Sequence, residues 1–144
     1  AACACLRREP FFRGLGSMAH RLLAAFILPH QNHTSGAAQM FRTDALRAAG
    51  SYDPLLWPYV LKDHELMHRV LKFGRQIYHH TLWCTTSDRR ADRGKVRWTV
   101  LERVVYHMTP RSQQHDFFYQ FLARRFDARG QRDTVLRERD WSVA

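Results

Sequence analysis

Cysteine is scarce in this sequence, and the few copies lack the spacing of a structural site. The chain holds three cysteines in 144 residues, Cys3, Cys5 and Cys84, and contains no C-x-x-C pair. An odd number without that spacing argues against both a disulfide framework and a zinc knuckle. We therefore expect a protein of a reducing compartment and predict a cytoplasmic location.

Long hydrophobic runs are also absent. The longest apolar stretch, LLAAFIL from Leu22 to Leu28, is far shorter than the roughly 20 residues that a helix needs to span a bilayer. Basic residues flank the wider stretch MAHRLLAAFIL, which leaves peripheral attachment to a membrane surface as one alternative. Co-sedimentation with anionic liposomes would test that alternative.

Acidic charge is low relative to basic charge. Lys and Arg total 23 against 13 Asp and Glu, a formal net charge of +10. Such a balance fits nucleic acid, anionic lipid or a phosphate-bearing small substrate. A basic, mainly helical nucleic-acid-binding module is therefore an alternative function, and it rests on Arg-rich helices near Arg124 and Arg125. Duplex binding that weakens steeply with salt would favour it.

The residues that are present suffice for a hydrophobic core, at 45% hydrophobic and 12% aromatic. The pattern predicts an α/β chain with a few strands, several helices and a helix-rich C-terminal part. The predicted strands are AAQMF and RQIYHHTLWCTT, and the predicted helices cover residues 18–28, 44–49, 63–73, 95–108 and 115–129. Because a lone pair of strands is marginally stable, we expect a piece of a larger α/β protein.

Helical periodicity also predicts which side chains face the core. The predicted apolar faces are Leu66, Met67, Val70, Leu71 and Phe73 in the helix from Asp63; Val96, Val100, Leu101, Val104 and Met108 in the next; and Phe117, Phe118, Phe121, Leu122 and Phe126 in the last. We place His64 and His68 on the polar, solvent side of the first of these helices. At i, i+4 they could share a metal ion, but a surface role is the favoured interpretation.

Two carboxylates, Asp63 and Glu65, open one helix directly after an aromatic loop with two prolines. At a helix N-terminus an Asp accepts a backbone N–H and meets the positive end of the helix dipole. The same position suits a general base, because the carboxylate is held rigidly and the loop can frame an acceptor with Trp57 and Tyr59. Glu65 can simply pair with Arg69 on the helix surface. Spacing alone leaves both roles of Asp63 open.

Three segments occur in a definite order. SGAAQMFRTDALRAAGSYDP leads into KDHELMHRVLKFGRQIYHH, and TTSDRR follows shortly after. This succession resembles the C-terminal half of the catalytic domain in family 2 glycosyltransferases, the inverting enzymes with the Rossmann-like GT-A fold. The resemblance covers roughly residues 30–107. It implies an acceptor-side part of a catalytic domain at 1–110 and a C-terminal helix with a charged tail at 111–144.

By this resemblance Asp63 is the catalytic base, which takes the proton of an acceptor hydroxyl. The residues that the resemblance assigns to substrate binding are Gly36, Arg42, Trp57, Glu65, Arg69, Ser87, Arg89 and Arg90. Arg89 and Arg90 would offset the charge of the departing diphosphate. The implied enzyme is of the hexosyltransferase type, with a nucleotide-sugar donor and a glycan or lipid-linked acceptor.

The chain departs from the family pattern in two places. Lys62 stands where the family has an acidic residue. Its positive charge could favour the ionised form of Asp63. Alternatively, the replacement could change how the acceptor is bound, or it could mark an inactive relative. The family's Asp-x-Asp metal motif is absent from the 144 residues. A divalent metal, Mg²⁺ or Mn²⁺, would then find most of its ligands in a missing N-terminal half, so we assign no metal ligand here. We expect that the chain alone does not transfer sugar.

Overall fold

The computed structural model describes residues 2–7, 19, 22–34, 36–85 and 96–134, with side chains except at 2–7, 37, 79, 80, 83 and 85. The chain folds as two compact units. Among the described residues, the first unit holds those up to Tyr52 and those from Asp63 to 85, and the second holds 53–62 and 96–134. The units thus divide the chain differently from the expected boundary after residue 110, since residues on both sides of it share the second unit.

The first unit contains a three-stranded mixed sheet. The strands are β1 (Ala2–Arg7), β2 (Gln39–Met40) and β3 (Ile77–Thr85), in the order β2-β1-β3. β1 runs antiparallel to β2 and parallel to β3. The mixed α/β class predicted from the sequence is confirmed, as are both predicted strands.

The central strand β1 is the element that the sequence did not predict. Its sequence ACACLR includes alanines, which are depleted in strands, so propensity gives little signal there. It is a strand because it pairs on both edges: Ala2 lies opposite Met40 on one side and opposite Ile77 on the other. With β1 the sheet has three strands, so it is not the marginally stable two-stranded pair that the sequence predicted.

The first unit also contains several short helices. They are α1 (residues 22–27), a 3-10 turn (Gly36–Ala38), α2 (Thr43–Ala48) and α3 (Lys62–Val70), which continues as a 3-10 turn (Leu71–Phe73). The N-cap of α2 is Arg42 rather than Thr43, whereas Gly50 has a φ of 79° just past the helix end, as a C′ glycine should. Among the described residues, no helix combines the length and apolarity needed to cross a bilayer.

The core of the first unit includes apolar side chains of α3 in two clusters, one with Leu66 and Val70 and one with Met67 and Leu71. Leu66, Met67, Val70 and Leu71 are buried as predicted. The prediction for Phe73 is wrong, because its side chain is 57% exposed. Phe73 is the last residue of the 3-10 turn and directly precedes Gly74, so it lies past the buried part of the helix, which ends at Leu71.

The second unit is built on aromatic packing. Its helices are α4 (Val100–Met108), a 3-10 turn (Arg111–Gln113), and a continuous helical segment of α5 (Gln114–Asp116), a π-helical stretch (Phe117–Leu122) and α6 (Ala123–Asp127). Trp57, Tyr106, Phe118 and Phe126 are buried together, with Trp57 edge-on to Phe118. The Phe-rich helix is thus core, as predicted, and Gly130 closes it with a φ of 63°.

Helix α4 starts later than the sequence predicted, and it buries the opposite side from the predicted one. It begins at Val100 instead of Lys95, because Thr99 and Glu102 form a reciprocal capping box. The side predicted to be core is exposed, and Glu102 and Tyr106 are the buried residues. Glu102 is buried because Arg125 and Arg129 bind its carboxylate at 2.9 Å and 2.6 Å, contacts that helical periodicity cannot reveal.

Candidate functional site

Asp63 lies in the first turn of α3, and its carboxylate reaches outside that helix. Oδ2 accepts a hydrogen bond from the backbone N–H of Gly36 at 2.8 Å, 27 residues earlier in the chain. Oδ1 accepts from the backbone N–H of His64 at 3.1 Å and lies 3.0 Å from His64 Nδ1. A carboxylate only accepts, so Nδ1 is the donor. The residue is therefore more than a cap for its own helix.

The close approach of Asp63 to residue 36 favours a glycine at that position. A Cβ added at Gly36 would stand 3.2 Å from Asp63 Cβ and 3.5 Å from the hydroxyl of Tyr52. The first distance is tighter than ordinary van der Waals contact, so a larger residue would displace Asp63 or the turn that carries residue 36. The structure thus joins Gly36 and Asp63, two of the residues selected from the sequence.

The carboxylate of Asp63 keeps capacity for one more partner. An ionised carboxylate offers about four acceptor positions, and Gly36, His64 N–H and His64 Nδ1 occupy three of them. The remaining position is on Oδ2, and 19% of the side chain is exposed to solvent. A hydroxyl group could therefore donate to Oδ2 without breaking an existing hydrogen bond.

Opposing effects set the pKa of Asp63. Burial raises the pKa, whereas the charge and hydrogen bond of His64 and the N–H of Gly36 lower it, and the net pKa lies below the usual Asp value. The carboxylate is consequently ionised at neutral pH, the state in which it can accept a proton. Lys62, which the sequence suggested as the source of this effect, forms an ion pair with Asp133 at 2.9 Å.

This lowered pKa predicts a loss of stability in acid. A group whose folded pKa lies below its unfolded value, about 3.9 for Asp, stabilises the fold above that value and loses the contribution as the pH falls through the folded pKa. Glu102 acts in the same direction: burial raises its pKa, but Thr99, Arg125 and Arg129 lower it further. We expect the urea midpoint to fall as the pH drops below about 5, and to fall less in Asp63→Asn. Equal acid sensitivity of the two proteins would contradict a stabilising carboxylate at position 63.

Two polar side chains that sequence reasoning missed adjoin this site. Gln39 Nε2 lies 3.5 Å from the backbone oxygen of Asp63, and the hydroxyl of Tyr52 lies 3.5 Å from Gln39 Oε1. Burial and the charge of Asp63 both raise the pKa of Tyr52, which keeps the phenol protonated as a donor. Tyr52 belongs to the GSYD turn, so the sequence held a signal for it. Nothing in the pattern singled out Gln39.

Glu65 and Arg69 form an ion pair that is buried, contrary to the surface pair considered from the sequence. Arg69 Nε lies 2.6 Å from Glu65 Oε1 and Nη2 lies 2.9 Å from Oε2, while only 1% of the Glu65 side chain is exposed. Arg69 also donates to the backbone oxygens of Ala49 and Ser51. The pair thus fixes the turn after α2, and a direct substrate contact by Glu65 would require it to leave Arg69.

The remaining sequence-selected residues have other partners where the structure describes them. Arg42 is exposed and pairs with Asp44 at 2.6 Å. Trp57 is 1% exposed and donates to the oxygen of Val60 at 2.8 Å, so it has almost no surface to offer an acceptor directly. Ser87, Arg89 and Arg90 fall outside the described residues.

Histidines do not assemble into a metal site in the part of the chain that the structure describes. That part holds no group of three or more His, Cys, Asp or Glu side chains arranged around a common point. His68 is buried, which corrects its predicted place on the solvent side of α3, and His64 is half-buried against Asp63. The chemistry available at Asp63 is therefore that of an oriented, ionised carboxylate that accepts a hydrogen bond from an imidazole.

Comparison with known proteins adds no family to this description. No protein-family model, no curated protein and no solved structure matches the chain.

Proposed function

We propose that this chain is the acceptor-side part of a nucleotide-sugar-dependent inverting glycosyltransferase with a GT-A fold, and that Asp63 is its catalytic base. The order of sequence motifs around Gly36, Gly50 and Asp63 supports the family, and the mixed α/β sheet is compatible with it. The observation that carries the proposal is the Asp63 carboxylate, which is ionised, partly exposed and held by Gly36 with one acceptor position unused.

The reaction follows from that carboxylate. Oδ2 accepts the proton of an acceptor hydroxyl while the hydroxyl oxygen forms a bond to the anomeric carbon of the donor. The bond from that carbon to the nucleotide diphosphate breaks on the opposite face, so the configuration inverts and the diphosphate leaves with the electron pair. The fixed position of Asp63 contributes by holding the base where the attacking oxygen must lie.

His64 would tune the base in this reaction. Its imidazole bonds Oδ1, which leaves Oδ2 for the hydroxyl and orients the carboxylate plane. A lowered pKa makes Asp63 a weaker base, but it ensures that the proton-accepting form is populated at neutral pH. The proposed substrates are a nucleotide sugar and a glycan or lipid-linked acceptor, and the proposed location is cytoplasmic, peripheral to the membrane.

The donor half of the active site would be supplied by sequence beyond these residues. Family members place an Asp-x-Asp metal motif there, and this chain has none. The described residues offer no ligand group for Mg²⁺ or Mn²⁺, so no step is assigned to a metal here. Arg89 and Arg90 remain the proposed partners of the diphosphate, since a guanidinium matches phosphate oxygens in a bidentate manner.

A comparison of two proteins tests this division of labour. We expect the 144-residue chain to release no nucleotide from UDP-, GDP- or dTDP-sugars in the presence of Mg²⁺ or Mn²⁺ and a membrane extract as acceptor. A longer protein that joins it to a nucleotide-binding half should release nucleoside diphosphate and label the acceptor. Turnover by the chain alone would refute the absence of the donor site. A longer protein that binds a nucleotide sugar but transfers nothing would refute the acceptor-side role.

A further inference from the structure

Helix α4 carries an apolar side that the second unit leaves uncovered. We call Val100, Leu101, Val104 and Met108 the α4 face, and these side chains are between 52% and 79% exposed. Residues of an α-helix are about 100° apart, so the four fall within one arc of about 100°. Contiguous exposed apolar surface of this kind marks an interaction site more often than scattered exposed side chains do.

The fold gives α4 no freedom to turn this face inward. Glu102 is buried on the other side and bound by Arg125 and Arg129, and its capping box with Thr99 fixes the helix start. Tyr106 is buried against Phe117 and Phe118. Rotation of α4 would expose Tyr106 and break the charge pairs of Glu102. The α4 face is therefore a stable external surface.

The exposed charges of residues 96–115, which include α4, have one sign. Arg97, Arg103 and Arg111 are exposed, and between residues 96 and 115 the sole acidic residue is Glu102, which is fully buried. The guanidinium of Arg103 lies 5.6 Å from the ring of Trp98, which holds one of these charges beside the helix. Aliphatic side chains bordered by arginines complement a partner that has an apolar interior beneath a negatively charged surface layer.

We propose that the α4 face docks on an anionic lipid bilayer, with the helix lying in the plane of the interface. The apolar side chains would enter the boundary between headgroups and acyl chains, and the three arginines would contact lipid phosphates. A second copy of the chain fits less well, because a two-fold contact through this face would bring like arginines together. Docking of this kind needs only α4 and the arginines near it, and it does not depend on transfer at Asp63.

Vesicle partitioning of the full chain tests the docking surface. The probes are phosphatidylcholine vesicles with and without about 30 mol% phosphatidylserine. We expect binding to the anionic vesicles only. The double variant Val100→Gln/Val104→Gln, which leaves the net charge unchanged, should lower the partition coefficient by about tenfold or more. Arg97→Gln/Arg103→Gln should cause a loss of similar size that high salt reproduces in the unaltered protein.

Two matched variants separate this surface from others. Gln120→Glu adds one negative charge at an exposed site away from α4 and should bind nearly as the unaltered chain. Phe26→Gln removes exposed apolar surface from α1, the segment that the sequence suggested for the membrane. Unchanged circular dichroism would show that each variant folds. Three outcomes would overturn docking through α4. Val100→Gln/Val104→Gln could bind normally, which indicates adhesion by charge alone, or only Phe26→Gln could lose binding. The unaltered chain could also fail to bind either kind of vesicle.

Discussion

Replacement of Asp63 by Asn is expected to lower kcat/KM for sugar transfer by about 10²- to 10⁴-fold, the usual contribution of a general base. The change should be made in the longer protein that carries the donor half. Asn is nearly isosteric with Asp, and its amide oxygen can still accept from the N–H of Gly36. The amide cannot take the proton of an acceptor hydroxyl. Binding of the nucleotide sugar should therefore be retained while the chemical step is lost.

Asp44→Asn is the matched control for that variant. It removes an equally negative side chain from the same unit, at an exposed position where Asp44 pairs only locally with Arg42. We expect the control to transfer sugar at nearly the unaltered rate. If Asp63→Asn kept more than about a tenth of the activity, a difference of less than about 1.4 kcal/mol in the barrier, Asp63 would be a structural residue that links α3 to the Gly36 turn.

Sequence reasoning reached the Asp63 site because the relevant information is local. The position of Asp63 at a helix start follows from the change to helical periodicity after a proline-bearing loop. Gly36 was selected by motif order, but its close approach to Asp63, which leaves little room for a Cβ, is visible only in the structure. The bond from His64 could not be read from spacing, because adjacent residues on a helix do not normally face each other.

The errors on the buried side of α4 and on β1 share a cause, which is a partner distant in sequence. Periodicity identified the amphipathic character of α4 but assigned its apolar side to the core, because a Glu was not expected to be buried. Arg125 and Arg129 reverse that expectation, and they lie 23 and 27 residues further on. In β1, pairing on both edges overrides weak strand propensity. Local pattern is thus reliable for the existence of an element and unreliable for the side that it buries.

Arg69→Ala is expected to destabilise the chain by about 3–5 kcal/mol, the range for breaking a buried ion pair from one side. Glu65 would keep a carboxylate in a site with almost no solvent access, and the oxygens of Ala49 and Ser51 would lose their donor. Ser51 has a φ of 53°, in the left-handed region that a serine adopts at a cost, and Arg69 Nη2 donates to its backbone oxygen at 2.8 Å. Urea unfolding at neutral pH measures the loss as a lower midpoint.

Two further variants determine whether burial is the cause. Arg42→Ala breaks the ion pair with Asp44. Because the side chains of Arg42 and Asp44 are 82% and 66% exposed, the urea midpoint should hardly change. Glu65→Leu/Arg69→Met replaces both charges by apolar groups and should recover much of the stability lost in Arg69→Ala, since no charge is then left buried alone. If Arg69→Ala cost no more than Arg42→Ala, the turn after α2 would be held by its own backbone. The left-handed conformation of Ser51 would then not require the hydrogen bond from Arg69 of α3.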